Sequence, residues 1–359
     1  MFHATVGNKG YEDIMKIISW NVNGWNPTRA KVVDTYGSVE SFLKRMGMEY
    51  SGKEDGDVVL CLQEVKITEE KLSKESCCMD EPVFESYWAC SKKKKGYSGV
   101  ASLTTMKARS VCIDELCPTI DGEGRFIAVD LGVCVVVNVY VPNSGLGKRS
   151  GSNVGDGVTA PADVSPRVEY KMNFMKELLR YCTHLIRSEN RDVILVGDFN
   201  SCFFKNDVHH SIGIDQAFLQ CELDALKKFT CDGLFTDIYR KRNPDTNSSF
   251  TCFDERTNAR ERNVGVRIDF VLVSERLVDK VKACDIVKSG IIHPKWSDHC
   301  ALYLDVDVPL VREEGMSQTK EWLSLRKRLL NTSQKSILSM FAKRPINKDD
   351  DAGGKKTKT

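Results

Sequence analysis

Polar side chains stand at the ends of several apolar runs in this chain of 359 residues. The set consists of amides, carboxylates, a tyrosine and a histidine: Asn21, Asn23, Gln63, Glu64, Tyr140, Asn143, Asp198, Asn200, Asp269, Asp298 and His299. One polar residue at a strand end is usually a loop residue or a helix cap, but repeated placement at successive strand ends favours a shared site. If these ends gather at one edge of a sandwich, their oxygen atoms suit Mg²⁺ or Mn²⁺.

This set of side chains indicates metal-assisted hydrolysis. It contains no Lys nucleophile and no Ser-His pattern, and it lacks the thiolate or multi-His ligation typical of zinc. A hard divalent ion held by few carboxylates keeps coordination positions open for a substrate phosphate. Phosphoester cleavage is therefore the leading reaction class.

Strands must position these side chains, and the apolar pattern predicts many strands. Short runs rich in Val and Ile predict buried strands at Ile14 to Trp20, Asp57 to Leu62, Ser98 to Leu103, Phe126 to Asp130, Val133 to Tyr140, Val193 to Gly197, Arg267 to Val273, Lys282 to Val287 and Ala301 to Val306. Several follow one another with no helix between them. This favours packed mixed or antiparallel sheets with helices outside over a doubly wound parallel sheet.

One helix is clearly predicted, from Val168 to Ile186, because Ser165 suits the N-cap and Pro166 the first helical position. The other predicted elements are helices at Val39 to Met48, Thr68 to Lys74, Asp215 to Phe229 and Trp322 to Leu330, a surface loop at Gly145 to Pro161, and disorder from Lys343 to Thr359.

Composition excludes wholesale disorder, because hydrophobic residues make up 41% of the chain and charged residues 28%. The segment from Leu310 onward holds 12 Lys or Arg against 6 Asp or Glu in a chain of net charge +2, so the tail is basic and the body mildly acidic. No run of 18 apolar residues occurs, so we expect neither secretion nor a membrane span. The 14 cysteines form no C-x-x-C pair, which predicts free thiols in a reducing compartment.

Seven motifs resemble those of the exonuclease III type of AP endonuclease and occur in the same order. They are SWNVNG (19–24), LQEVK (62–66), GYSGVA (96–101), VYVPNSG (139–145), GDFN (197–200), NARERNVGVRIDFVL (258–272) and SDHC (297–300). GDFN and SDH indicate only the endonuclease/exonuclease/phosphatase superfamily, whereas the N-A-R-x-x-N-x-G-x-R-I-D block is much more specific to DNA repair. The resemblance spans about Met15 to Val308.

This resemblance implies an α/β fold, a four-layer α/β/β/α sandwich of the DNase I-like type. It places the catalytic domain at residues 15–309, after an N-terminal extension of residues 1–14 and before a basic tail of residues 310–359. Mg²⁺ or Mn²⁺ is the implied cofactor.

The resemblance also implies roles for the polar side chains. Glu64 looks like the principal metal carboxylate, and Asp198 like the residue that orients and deprotonates the attacking water. Asp269 would pair with His299 against a phosphate oxygen. The implied catalytic residues are Tyr140, Asp198, Asn200, Asp269 and His299, and the implied metal ligands are Asn21, Asn23, Glu64, Asp198, Asn200, Asp298 and His299.

A third implied group contacts DNA. Its members are Lys66, Lys93, Lys94, Lys95, Asn143, Arg260, Asn263 and Val266. The lysine run in isolation would be a solvated loop, but beside a phosphodiesterase edge it becomes a candidate for sequence-independent phosphate contacts. Arg267 could contact phosphate or serve a structural role.

Two positions depart from strong abasic-site endonucleases of this family. Val266 replaces a Trp that walls the pocket for the flipped deoxyribose, and Leu146 replaces an Arg inserted beside the lesion. Together with FTCF (250–253), these changes resemble the second eukaryotic AP endonuclease branch, which favours 3′ to 5′ exonuclease and 3′-phosphodiesterase activity.

The tail carries a further motif of that branch. Residues 334–341 fit a sliding-clamp-binding motif, with Gln334, Ile337, Met340 and Phe341 at its key positions. The alternative is an amphipathic segment with no binding role. The predicted function is a monomeric nuclear nuclease of base excision repair that acts on double-stranded DNA with abasic sites or damaged 3′ ends. The alternatives are a clamp-bound scaffold with weak catalysis and a superfamily phosphodiesterase acting on RNA or phosphoinositide.

Overall fold

The computed structural model describes residues 14–78, 85–145 and 165–308. The predicted clamp motif, the predicted helix at Trp322 to Leu330, Leu146 and most of the predicted loop and extension lie outside these residues. The strands are β1 (Ile14–Asn21), β2 (Asp57–Gln63), β3 (Glu85–Ala89), β4 (Val100–Thr104), β5 (Ser110–Ile113), β6 (Phe126–Asp130), β7 (Val135–Tyr140), β8 (Val193–Asp198), β9 (Phe235–Asp237), β10 (Cys252–Phe253), β11 (Gly265–Val266), β12 (Asp269–Ser274), β13 (Val281–Ile286) and β14 (Leu302–Asp307). The α-helices are α1 (Trp25–Tyr36), α2 (Val39–Ser51), α3 (Pro166–Thr183), α4 (Ile214–Ala217), α5 (Gln220–Lys227) and α6 (Ile238–Arg242).

Two six-stranded sheets form the centre of the molecule. The first has the order β13-β14-β1-β2-β4-β3 and the second β5-β6-β7-β8-β12-β9, while β10 and β11 form a separate ribbon. Within the sheets, β1 pairs parallel with β2, β7 pairs parallel with β8, and the other neighbours are antiparallel. The mixed sheets predicted from the sequence are therefore confirmed.

Three hydrophobic clusters define four layers. The central cluster joins both sheets, with Ile17 of β1 and Val196 of β8 among its members. A second cluster packs α1 and α2 on the outer face of the first sheet, and a third packs α3 and α5 on the outer face of the second. The predicted α/β/β/α sandwich is confirmed.

The inner faces of the sheets change from apolar to polar along the strands. Alternate residues of a strand share a face, so Ile17, Ser19 and Asn21 of β1 all point toward the second sheet. Ser19 accepts a hydrogen bond from Gln63 of β2 at 3.1 Å, and Gln63 donates another to Asn138 of β7 at 2.8 Å. This buried polar layer lies directly beneath the strand ends that carry the candidate site.

The long predicted helix is confirmed, since Ser165 caps α3 and Pro166 begins it. The helix predicted at Thr68 to Lys74 is wrong, because only a 3₁₀ turn at Glu69–Lys71 forms there. The helix predicted at Asp215 to Phe229 is divided into α4, α5 and a 3₁₀ segment, Lys228–Gly233. The sequence pattern also missed α1 and α6 and the short strands β3, β5, β9, β10 and β11.

No helix in the described ranges is long and apolar enough to cross a membrane. All 14 cysteines lie within these ranges, and none of them is joined in a disulfide.

Candidate active site

Polar residues of both sheets meet at one edge of the sandwich. Tyr140 and Asp198 end the parallel strands β7 and β8 and are register partners. Asp269 begins β12 and pairs directly with Asp198 across the antiparallel ladder. Asn21 ends β1 of the other sheet, and Glu64 directly follows its neighbour β2. The strand register therefore places these side chains together, as the sequence predicted.

Glycine at position 197 allows β7 and β8 to approach closely at this edge. A Cβ atom there would lie 1.9 Å from the main-chain oxygen of Val139, and the glycine φ is +140°. No other residue type fits without moving the strand that carries Asp198.

The backbone turns sharply after the strands. Asn23, Glu64 and Asn200 have φ values of 49°, 51° and 48°, in the left-handed region. Asn adopts this conformation readily, but for Glu64 it costs about 1–2 kcal/mol. Strain of this kind is often found at functional sites, and here it aims the Glu64 carboxylate back across the strand ends.

Asn21 links the carboxylates of the two sheets. Its Nδ2 donates hydrogen bonds to Oε1 of Glu64 at 3.0 Å and to Oδ2 of Asp198 at 2.9 Å. The other oxygen of Asp198 accepts from the main-chain N–H of Asn200 at 2.8 Å. Asn200 in turn accepts from Asn143 Nδ2 at 3.0 Å, so these residues form one continuous network.

His299 is held by Asp269. Its Nδ1 lies 2.8 Å from Oδ2 of Asp269, and its Nε2 lies 3.8 Å from Oδ2 of Asp198. Burial alone would lower the pKa of His299, but the Asp269 carboxylate and the neighbouring Cys252 outweigh it and hold the pKa well above its usual value. The Asp269 carboxylate therefore favours the charged form of the imidazole.

The facing carboxylates perturb one another. Burial raises the pKa of Asp198 to about 7, and the negative charge of Asp269 adds to the shift while His299 opposes it. Burial, with the charges of Glu64 and Asp198, also raises the pKa of Tyr140 well above its usual value. Asp198 can thus accept a proton near neutral pH, whereas Tyr140 remains a hydrogen-bond donor.

Glu64 faces the mouth of the site. Burial disfavours its charge, but Lys66 and the bond from Asn21 outweigh burial and keep the pKa of Glu64 below its usual value. The Lys66 ammonium lies 2.9 Å from Oε2 of Glu64 and also bonds Oδ1 of Asn23. Asn23 donates to Oδ1 of Asp298 at 3.1 Å, which brings Asp298 to the same mouth.

These groups border an open cleft of about 790 Å³. Its polar wall contains Glu64, Tyr140, Asn143, Asp198, Asn200, Asp298 and His299, and its apolar wall contains Ile212, Ala217, Phe218, Cys252, Val266 and Ile268. A carboxylate with a pKa near neutrality, an imidazole paired with a second carboxylate, and an acidic mouth thus share one cleft. This is the arrangement expected of a hydrolase acting on an anionic substrate.

Comparison with known proteins agrees with this geometry. The model of the Endonuclease/Exonuclease/phosphatase family matches residues 18–299. The chain belongs to this family. It is 29% identical over 296 residues to an exodeoxyribonuclease of Bacillus subtilis, covering 82% of this chain and all of that one. It is 27% identical over 335 residues to the "DNA-(apurinic or apyrimidinic site) endonuclease 2" of Schizosaccharomyces pombe, covering 81% of this chain and 58% of the relative.

Among solved structures, the Xenopus laevis APE2 catalytic domain superimposes with a TM-score of 0.67 at 22% identity. The match covers 89% of this chain and all of that domain. It supports the fold of this endonuclease/exonuclease/phosphatase family member.

The family is metal-dependent, and the oxygen atoms at the cleft mouth fit a hard divalent cation. The ammonium of Lys66 already lies against Glu64 and Asn23, which shows that this mouth accepts positive charge. Glu64, Asn23 and Asp298 would hold the ion. The buried trio Asp198, Asp269 and His299 also lies within 4.8 Å. Both carboxylate oxygens of Asp198 accept bonds, from Asn21 and Asn200, and Oδ2 of Asp269 is bonded to Nδ1 of His299.

The structure places several predicted DNA-binding residues outside this cluster. Arg260 donates to the main-chain oxygen of Ser297 at 2.8 Å and to Sγ of Cys300 at 3.0 Å, so its guanidinium secures the segment that carries Asp298 and His299. Asn263 donates to the main-chain oxygen of Ser248 at 3.0 Å.

The predicted lysine run lies on the neighbouring surface. The Nζ atoms of Lys93 and Lys94 lie 5.2 and 5.3 Å from the ring centres of Tyr170 and Tyr97, and Lys95 lies 3.3 Å from Glu70. All three lysines are exposed and remain available to an anionic polymer.

Arg267 is structural rather than a phosphate contact. Its side chain is 1% exposed and donates to Asp207 and Asp237, both at 2.8 Å. Burial therefore decides between a phosphate contact and a structural role for Arg267, because no substrate can reach its side chain.

Sequence reasoning missed two supports of the site. Arg125 stacks its guanidinium 4.5 Å from the ring centre of Tyr140 and donates to the Tyr140 main-chain oxygen at 3.0 Å. Lys171 of α3 donates to the main-chain oxygen of Asn200 at 2.7 Å. Arg125 follows an acidic DGEG turn and Lys171 lies in an amphipathic helix, so neither carries a local signal of a role at the site.

Proposed function

We propose that this chain is a DNA repair nuclease that uses Mg²⁺ or Mn²⁺ to hydrolyse phosphodiesters at abasic sites and 3′ ends. The observation that carries the proposal is the meeting of Asp198, the Asp269–His299 pair and Glu64 in one cleft. The names of the relatives, an exodeoxyribonuclease and an AP endonuclease, support DNA as the substrate.

Each side chain at the cleft would have a separate role in the hydrolysis. Asp198 accepts a proton from the attacking water, for which a pKa near neutrality is suited. Asn200 holds this water, while the charged His299 and the Tyr140 hydroxyl stabilise negative charge on the phosphate oxygens. The divalent ion at Glu64 would supply Lewis-acid stabilisation of the same charge.

The apolar wall of the cleft favours 3′-end processing over incision at internal abasic sites. Val266 is small, and it faces the catalytic groups together with Ile212 and Phe218. A flipped deoxyribose needs close packing on all sides, whereas a terminal nucleotide requires less extrusion. Base excision repair is the proposed pathway, because it needs both incision at abasic sites and processing of 3′ ends.

We further propose a sliding clamp as a partner, through the motif at residues 334–341, and a nuclear location. Action as a monomer also remains a prediction. These proposals rest on the sequence alone, since the motif lies outside the described residues.

A substrate panel tests the proposed function. The full chain should cleave duplex DNA with an abasic site, a recessed 3′ end or a 3′-phosphoglycolate in Mg²⁺, and EDTA should abolish each activity. Glu64→Ala protein purified in parallel controls for contaminating nucleases. Cleavage that persists in EDTA would contradict the metal mechanism, and activity confined to RNA or phosphoinositide would contradict the substrate class.

A further inference from the structure

Cys252 lies in the wall of the cleft, beside the catalytic histidine. Residues 252 and 299 form an antiparallel bridge, and the flanking backbone is tied by hydrogen bonds from Phe253 N to Asp298 O at 3.0 Å and from Cys300 N to Thr251 O at 2.7 Å. Residues that pair directly across such a bridge have neighbouring side chains on one face. The backbone therefore fixes the thiol opposite the imidazole.

Three potential ligand atoms converge at this place. One atom each of Cys252, Asp298 and His299 lies within 4.8 Å of the other two. In a tetrahedral zinc site with the usual bond lengths, ligand atoms are about 3.3–3.8 Å apart. Side-chain movements of about 1 Å would therefore close the three residues around an ion.

The histidine is already oriented as a metal ligand. Its Nδ1 is bonded to Oδ2 of Asp269 at 2.8 Å, so Nε2 is the ring nitrogen left to bind. Binding of a cation would release the Nε2 proton and the Cys252 thiol proton to solvent. A carboxylate that holds the far nitrogen of a histidine is the usual support of zinc-binding histidines. Cys252 and His299 both border the open cleft, so an ion has a path to them and a fourth position remains for water.

We propose that Cys252, Asp298 and His299 form a site for a thiophilic divalent cation such as Zn²⁺, and that its occupancy inhibits hydrolysis. Thiolate and imidazole select Zn²⁺ or Cd²⁺ over Mg²⁺, which prefers oxygen ligands. A cation bound here withdraws Asp298 from the oxygen-rich mouth and His299 from the substrate phosphate. The inhibition rests on the proposed nuclease function, whereas the binding of the cation does not.

Binding is tested on the metal-free full chain with Co²⁺ as the spectroscopic reporter. A thiolate-to-cobalt charge-transfer band should appear and should disappear on addition of Zn²⁺. Cys252→Ser should remove the band and weaken Zn²⁺ binding, measured by chelator competition, by at least about 10-fold. Asp269→Asn should weaken binding by about 10- to 100-fold, because the histidine loses its support. Cys231→Ser, which removes an exposed thiol elsewhere, should change nothing.

A second measurement needs no variant. Zn²⁺ should protect Cys252 of the wild-type chain from alkylation, as mapped by mass spectrometry, whereas Mg²⁺ should not, and Cys231 should react in both cases. Absence of both the band and the protection would overturn the site, as would an unchanged band in Cys252→Ser.

The inhibition is read in nuclease assays with Mg²⁺. Added Zn²⁺ should inhibit the wild type at concentrations that match its binding, and Cys252→Ser should need at least about 10-fold more, relative to its own uninhibited rate. Zinc bound through Cys252 without loss of nuclease activity would overturn the inhibitory role. A chain that binds zinc but cleaves no DNA would instead contradict the proposed function and leave the site standing.

Discussion

The ammonium group of Lys171 lies 2.7 Å from the main-chain oxygen of Asn200. It also lies 2.6 Å from Oε1 of Glu222 in α5, and both side chains are fully buried. Burial lowers the pKa of Lys171, and the Glu222 carboxylate opposes that change. One buried ion pair between α3 and α5 therefore fixes the loop that carries Asn200 into the cleft.

Replacing Lys171 with Met should reduce both stability and activity. The variant leaves Glu222 buried without its partner, which should lower the free energy of unfolding by about 3–5 kcal/mol in urea titrations. The double variant Lys171→Met/Glu222→Met should regain much of this stability, because an apolar pair can replace a buried ion pair.

Measurements of kcat distinguish the role of Lys171 in positioning Asn200 from its contribution to stability. In the double variant kcat should stay below the wild-type value, because the Asn200 oxygen still lacks its donor. Lys176→Met, on the exposed side of the same helix, should change stability by less than about 0.5 kcal/mol. Full kcat in the double variant would show that the contact to Asn200 has no functional consequence.

Removal of the central carboxylates should abolish hydrolysis. Glu64→Ala removes the carboxylate at the cleft mouth, and Asp198→Asn removes the proton acceptor; each should reduce kcat by about 10²- to 10⁴-fold. Circular dichroism should show an intact fold in both variants. A variant that keeps wild-type kcat would exclude its residue from the reaction.

The layered fold and the strand-end cluster were predictable from local properties of the sequence. These are the periodicity of the apolar residues and the position of polar residues at the ends of apolar runs. Val193 to Gly197 is recognisable as a buried strand, and the GDFN motif at its end places Asp198 at the sheet edge. Which strands share a sheet is not local: β1 and β14, at opposite ends of the described chain, pair side by side.

The contacts that tune the site were not predictable from the sequence. The position of Cys252 beside the candidate site depends on its bridge to His299, which lies far along the chain. Arg260 has the motif position of a DNA contact, but its guanidinium is bonded within the protein. A motif defines residue types and order, whereas hydrogen-bond partners depend on the packing of distant segments.

The tail motif provides a prediction independent of catalysis. A peptide of residues 333–345 should bind a eukaryotic sliding clamp in calorimetry, and Phe341→Ala should abolish binding because an anchoring aromatic side chain is lost. The same substitution in the full chain should leave cleavage of short oligonucleotides unchanged. Binding that survives in the Phe341→Ala peptide would refute the assignment of the motif.

Val266 should determine the ratio of abasic-site incision to 3′ nucleotide removal. It belongs to the β10–β11 ribbon as the register partner of Cys252. Like Ile212 and Phe218, it packs against a small cluster formed by Cys202, Val208 and Leu223. The register fixes its side chain at the cleft wall, so a larger residue there narrows the space around a flipped sugar. Val266→Trp should therefore raise abasic-site incision relative to 3′ nucleotide removal, with both rates measured on matched duplexes.

Val266→Leu is the matched control for this change. It adds volume without an aromatic ring, so it should shift the ratio of the two rates less than Trp does. Overpacking against the cluster of Cys202, Val208 and Leu223 would lower both rates together, and the ratio separates that effect from a change in specificity. A wild-type chain that already incises abasic duplex much faster than it removes 3′ nucleotides would show that the small side chain at position 266 does not set the preference.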